Sequence, residues 1–141
     1  MPRVDPYRNY RFLVEIDGIV QAGFLECSGL GSSVEVVEYR EGGDLTTVRK
    51  LRGKVSYPDI MLKWGITDSR ELYDWHLTAV NGEVERKNGS IVLLDDRGQE
   101  KVRWNFFNAW PSKYDAPSFD AKGSDVAIDS LSMCCERVER A

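Results

Sequence analysis

The stretch WNFFNAWPSKYDAPSFDAKG, residues 104–123, joins an aromatic run to a proline-rich segment. Trp104, Phe106 and Trp110 fall on one alternation and Phe107 on the other, and this period of two predicts a β-strand that Pro111 ends. Both faces carry aromatic groups, so neither face suits water. The strand is therefore either central in a monomeric sandwich or packed between its own core and another subunit. The stretch alone favours the sandwich, and the rest of the chain favours the subunit contact.

Alternating runs elsewhere predict about seven short strands, mostly joined by hairpins. Phe12, Val14 and Ile16 alternate with polar neighbours, and Asp17-Gly18 is a favoured tight turn, so we expect the chain to double back to Cys27. A change of parity in the last strand predicts a β-bulge near Asp129 or Ser130. The other expected strands span residues 34–39, 60–64, 90–94, 102–110 and 125–138.

One helix is expected after residue 67. Asp68 is the expected cap of its first turn, Glu71 completes a capping box, and Asn81-Gly82 ends it. Its apolar stripe recurs at helical spacing and consists of Leu72, Trp75, His76 and Ala79.

Two further segments complete the predicted fold. Residues 40–55 show no sustained periodicity and predict a long loop, whereas Asp95-Asp96-Arg97-Gly98 predicts a hairpin turn. The chain is thus predicted to be one domain, residues 1–141, that is mainly β. We expect an antiparallel β-sandwich or open barrel with one packed α-helix.

Composition excludes several classes of function. The chain has 141 residues and a net charge of -4, and its scattered Lys and Arg form no basic stripe for specific nucleic-acid binding. No stretch approaches the roughly 20 apolar residues that span a bilayer, so stable membrane insertion is not expected. The start lacks a secretory signal, which predicts synthesis in the cytoplasm.

The sequence offers little for catalysis or for a metal. The single histidine, His76, falls on the apolar stripe of the predicted helix, where a packed histidine is more common than a catalytic one. The three cysteines have neither disulfide nor metal spacing, and no nucleophile elbow occurs. We therefore expect no enzyme activity, no cofactor and no metal.

Taken together, the segments resemble a known family in order along nearly the whole chain. They are YRNYRFLVEIDG (7–18), GFLECSGL (23–30), VEVVEYREGG (34–43), KLRGKVSYPDIMLKWGIT (50–67), ELYDWH (71–76), RKNGSIVLLDDRG (86–98) and WNFFNAWPSKYDAPSFDAKGSDVAIDSL (104–131). The chain resembles the tail tube proteins of contractile phage tails, most closely the inner-tube proteins of extracellular contractile injection systems. Arg52 and Trp64 depart from the pattern, since a proline and a basic residue are common there, and Trp64 is left either in a subunit contact or in the core.

The resemblance implies a structural subunit that forms stacked hexameric rings around a lumen, with neighbours joined into a ring-shaped barrel. The implied partners are other copies of the chain, a contractile sheath, baseplate and cap proteins, and cargo in the lumen. The particle would be phage tail-like and released from the cell. No ATPase motif occurs, so the tube would be passive, driven by the sheath. The same fold serves contractile phages that conduct DNA, and this alternative stays open.

Two segments are candidate contacts between subunits or rings. In the 40–54 loop, Arg40, Glu41, Lys50 and Arg52 would set register through paired charges, although an ordinary solvated charge cluster explains them equally well. In residues 112–122, Tyr114 and Phe119 would anchor a segment that two prolines, Pro111 just before it and Pro117 within it, keep out of a sheet.

A different class of function is also open. A monomeric barrel would bind a small ligand with Trp104, Phe106 and Trp110 as pocket walls. The sequence assigns no residue to a lumen, because strand parity separates two faces without naming them.

Overall fold

Nine strands and one helix make up the described part of the chain in the computed structural model, which covers residues 11–19, 23–40, 42–43, 47–123 and 126–141. In chain order these are β1 (Phe12–Ile16), β2 (Phe24–Ser28), β3 (Ser33–Tyr39), β4 (Arg49–Ser56), β5 (Ile60–Gly65), α1 (Glu71–Val80), β6 (Lys87–Leu94), β7 (Glu100–Asp115), β8 (Ile128–Cys134) and β9 (Arg137–Arg140). The predicted mainly β fold with one helix is confirmed.

Seven strands form one antiparallel sheet in the order β1-β6-β7-β8-β5-β2, with β9 also on β7. The 16-residue β7 joins the two halves of this sheet, since its first half pairs with β6 and β9 and its second half pairs with β8. We call β1, β6, β9 and the first half of β7 the β1-side sheet. The β2-side sheet is β2, β5, β8 and the second half of β7.

The core lies between these two parts of the sheet and the helix. It includes Phe106 from the β1-side sheet, Leu62 and Met133 from the β2-side sheet, and Leu72 and Trp75 from α1. The sandwich prediction thus holds. The 3% exposure of Trp64 places this residue in the core, which decides between the two alternatives left by the sequence.

The predicted hairpin between β1 and β2 is wrong beyond its turn. Gly18 has a φ of 73°, and the Ile19 N–H donates to the Ile16 carbonyl over 3.0 Å, so the chain reverses as expected. However, β1 pairs with β6 and β2 pairs with β5, at opposite ends of the strand order. Turn chemistry sets the local reversal, whereas burial of each strand's apolar face on a common core sets its partner.

The strand β7 does not end at Pro111 but continues to Asp115. Pro111 is buried beside a register shift between β7 and β8, one of the places where a sheet accepts proline. A second irregularity lies at Asn108, whose φ of 53° accompanies a register shift against β6. Phe106 and Ala109 are consequently both buried, so the predicted alternation fails after Phe106.

The predicted final strand is two strands, and the predicted bulge near Asp129 or Ser130 is absent from β8. This strand pairs residue for residue with β5 from Ile128 to Met133. Its inner positions include Asp129, whereas Ile128 is 40% exposed on the other face. The apparent change of parity therefore comes from an apolar residue on the outer face.

The helix prediction is confirmed in its extent but not in its cap. Arg70 is the N-cap residue and no side chain caps the first turn, so the proposed capping box of Asp68 and Glu71 does not form. Asn81 ends the helix and Gly82 follows at a φ of 83°, as expected.

The predicted long loop over residues 40–55 is largely a strand. β4 pairs antiparallel with β3 in a separate two-stranded sheet, which we call the β3–β4 arm. Lys50, Arg52 and Lys54 alternate with Leu51 and Val55, so a period of two was present in this segment. The high density of charge concealed it.

Candidate assembly surface

The β3–β4 arm exposes an unusual amount of apolar surface. Every residue of β3 is exposed, and so is every residue of β4 except Gly53. Between 39% and 60% of each large apolar side chain remains exposed, and these are Val34, Val36, Val37, Tyr39, Leu51 and Val55. The register places Val37 and Leu51 on one face of the arm and Val36 on the other, so both faces expose apolar surface. Exposed apolar surface of this kind makes the arm a candidate contact with another protein.

The two strands of the arm carry opposite charges. Glu35 and Glu38 lie on β3, whereas the basic residues Arg49, Lys50, Arg52 and Lys54 lie on β4. Each strand has a sheet partner on only one side within the described residues. The arm therefore presents an acidic edge and a basic edge, each with backbone groups available for strand addition.

Three of the four charged candidates from the sequence lie together on this arm. Lys50 is opposite Glu38 and Arg52 is opposite Val36, while Arg40 directly follows β3. All three are exposed. The fourth, Glu41, lies outside the described residues.

Tyr114 and Phe119 have very different surroundings. The Tyr114 hydroxyl donates to Asp129 Oδ1 over 3.0 Å, and its ring centroid lies 5.0 Å from that of Tyr73. Tyr114 lies in β7 and pairs with Leu131 of β8, so the prolines do not keep this part of the segment out of the sheet. Phe119 is 84% exposed. Of the two rings, that of Phe119 is therefore the more accessible to a partner.

The Tyr114 hydroxyl is held in its neutral form. Burial first, and then the hydrogen bond to the Asp129 carboxylate, raise the pKa of Tyr114 to about 12. Asp129 is only 7% exposed, so the pair is a polar contact at the edge of the core.

The three aromatic residues of the ligand-barrel hypothesis do not surround one cavity. Phe106 is completely buried in the core, whereas Trp104 lines a groove of about 470 Å³ together with Phe12, Leu30 and Leu93. In the described part of the chain, Phe106 belongs to a cluster of buried side chains and does not line that groove. This arrangement does not favour a barrel that holds a ligand between these three rings.

Chemically reactive groups in the described residues are weakly activated. Burial raises the pKa of the Cys27 thiol to about 12, with a further contribution from the Glu26 carboxylate, which disfavours the nucleophilic thiolate. His76 Nδ1 lies 3.2 Å from the Pro111 carbonyl oxygen. Within the described ranges, no three His, Cys, Asp or Glu side chains are grouped to hold a metal. None of the helices described there is long and apolar enough to cross a membrane.

Comparison with known families identifies the chain. Residues 8–139 match the family described as T4-like virus tail tube protein gp19. The chain belongs to this tail tube family. It is a structural tube protein by family, and comparison with functionally curated proteins gave no match.

Solved structures agree with this membership. One similar chain comes from the PVC sheath/tube terminator of an extracellular contractile injection system in the extended state. It is 32% identical to this chain at a TM-score of 0.86, and the match covers 98% of each chain. A chain of the PVC sheath-tube complex is also 32% identical, with a TM-score of 0.83 over 96% of this chain and 91% of that one. A chain from the anti-feeding prophage baseplate shares the fold, with a TM-score of 0.88 at 23% identity over 99% and 97% of the two chains.

Proposed function

We propose that this tail tube protein forms hexameric rings that stack into the inner tube of an extracellular contractile injection system. The observation that carries the proposal is the β3–β4 arm, whose apolar side chains have no core among the residues that the structure describes. Family membership and 32% identity to a chain of a PVC sheath-tube complex support the same function.

The proposed partners follow from the assemblies that contain similar chains. Those assemblies are a sheath-tube complex, a baseplate and a tube-terminating cap. We propose that this tube likewise sits inside a contractile sheath, begins at a baseplate and ends at a cap. The tube itself is a passive conduit without enzyme activity, built in the cytoplasm and released within a phage tail-like particle.

The arm is the proposed contact between subunits or rings. In a head-to-tail ring, each subunit uses two different surfaces, so one copy's basic edge can meet another copy's acidic surface. Arg40, Lys50 and Arg52, together with Glu41, would set the register of this contact, while Val36 and Leu51 supply apolar burial. Phe119 is a second proposed contact, because its exposed ring has no place in the core.

A contractile phage tail tube that conducts DNA is the second candidate. The observation that favours it is the match to a family described from a T4-like virus. Genes for a capsid beside the tube gene would support the phage, whereas their absence beside sheath and baseplate genes would support the injection system.

Negative-stain electron microscopy of the purified chain, with light scattering over a concentration series, tests the proposal. Six-fold rings and hollow tubes are the expected result, with scattering that rises with concentration. A chain that stays monomeric at every concentration, including in the presence of a purified baseplate, would contradict it. Once the tube yield of Tyr114→Ala is corrected for its lost stability, Phe119→Ala should lower the tube yield more than Tyr114→Ala does. If both variants assemble as well as the wild type, neither residue lies in the interface.

A further inference from the structure

One face of the β2-side sheet is uncovered within the described residues. Its opposite face packs on the core through residues such as Leu62, Leu131 and Met133. Strand register aligns the uncovered face into two rows across four strands. One row is Ser28, Met61, Ser132 and Lys113, and the next is Glu26, Lys63, Ser130 and Asp115.

The charges in these two rows cancel. Lys63 Nζ lies 3.6 Å from Glu26 Oε2, and Lys113 Nζ lies 3.5 Å from Asp115 Oδ2. Two positive and two negative groups therefore share a face of a chain whose net charge is -4. Ser130 and Ser132 stand between the β5 and β7 positions in these rows, and Ser132 is largely buried.

The outer face of the β1-side sheet has a different character. It carries larger groups, among them Leu13, Phe107 and Arg103, whose guanidinium lies 2.8 Å from Glu15 Oε2. Protein contacts are enriched in arginine and aromatic side chains and depleted in serine and lysine. By this criterion the β1-side face suits contact with another protein, and the two rows of the β2-side face, in which Met61 is the one large apolar side chain, suit water.

We propose that the β2-side face is the wall of the lumen, and that this wall is electrically balanced. The inference rests on the proposed function, because only a ring has a lumen. Opposite charges less than 4 Å apart cancel over a distance shorter than the Debye length of about 8 Å in physiological salt. The tube then passes acidic and basic cargo without holding or repelling either by charge.

A charge reversal on the wall tests the assignment. Lys63→Glu makes the wall of each subunit more negative by two charges, and Arg97→Glu is the matched control in the exposed turn between β6 and β7. Open-ended tubes of each variant and of the wild type are incubated with small cationic gold particles and imaged by electron microscopy. Ser130→Asp tests the same wall without breaking the Lys63–Glu26 ion pair.

We expect gold particles in a line along the tube axis. They should be several-fold more abundant in Lys63→Glu or Ser130→Asp tubes than in wild-type and Arg97→Glu tubes. Gold on the outside of the wall variants, or no gain over the control, would overturn the lumen assignment while leaving the tube function intact. A line of gold already present in wild-type tubes would overturn the charge balance. Failure of the wild-type chain to form tubes would instead contradict the proposed function, and this inference with it.

Discussion

The sheet body and the β3–β4 arm follow the same alternating pattern but bury very different amounts of apolar surface. Ile60, Leu62 and Phe106 in the body have no exposed area, whereas Val36 in the arm is 60% exposed. The body gains its free energy of folding from its own core. The arm has no core among the described residues, and we propose that its apolar side chains gain comparable burial from another copy of the chain.

The largest expected effect comes from shortening the arm. Deletion of residues 41–49 leaves Glu38 opposite Lys50 with two residues between them, enough for a tight hairpin turn. We expect a folded subunit that no longer elongates, because the contact is lost while the core is untouched. Circular dichroism measures whether the variant folds, and electron microscopy measures whether it forms tubes. Normal tubes from the deletion variant would show that the tip of the arm is not part of the assembly contact.

Removing a core ring should affect the body and spare the arm. Phe106→Ala should lower the free energy of unfolding by about 3–5 kcal/mol, because it opens a cavity at a completely buried site. Val36→Ala should change that free energy by less than about 0.5 kcal/mol but reduce tube yield. Urea denaturation of the unassembled subunit makes the comparison, and similar losses from both variants would mean that the arm belongs to the folding core.

A glycine at the start of the β2–β3 connection should be the next most sensitive site. Gly29 has a φ of 92°, and an added Cβ would lie 2.0 Å from the Asp59 carbonyl oxygen. Gly29→Ala should therefore cost about 2–4 kcal/mol. Gly31→Ala is the matched control, since its Cβ would come no closer than 3.9 Å to its nearest neighbour, the Pro58 side chain. Equal thermal stability of the two variants would contradict the close approach of these segments.

The smallest effect is expected from the hydroxyl of Tyr114. Tyr114→Phe removes the bond to the largely buried Asp129 carboxylate and should cost about 1–2 kcal/mol. Because the pKa of Tyr114 is raised from 10.0 to about 12, its stabilising contribution is complete below pH 10 and is lost as pH rises toward 12. Stability of the wild type should thus fall more steeply over that range than stability of Tyr114→Phe, and parallel curves from chemical denaturation would contradict the shift.

Sequence reasoning predicted the elements better than their partners. Short-range signals were reliable at Gly18, Gly82 and Gly98, where a positive φ follows from turn or cap chemistry. Strand partners depend on contacts between distant residues, which no local pattern records, so the positions of β1 and β2 at opposite ends of the sheet were missed.

The sequence predicted the charged residues of the candidate site but not the strand that carries two of them. Charge drew attention to Arg40, Lys50 and Arg52, yet charge also hid the alternation that makes β4 a strand. The uncovered β2-side face was beyond reach, because Lys63 and Glu26 become neighbours only through the pairing of β5 with β2.

A cryo-electron microscopy map of tubes assembled from the purified chain tests the central claim most directly. The account predicts a six-fold ring in which the β3–β4 arm packs against neighbouring copies and the rows containing Lys63 and Lys113 line the lumen. A map with the arm free in solvent, while the subunits join through other surfaces, would contradict it.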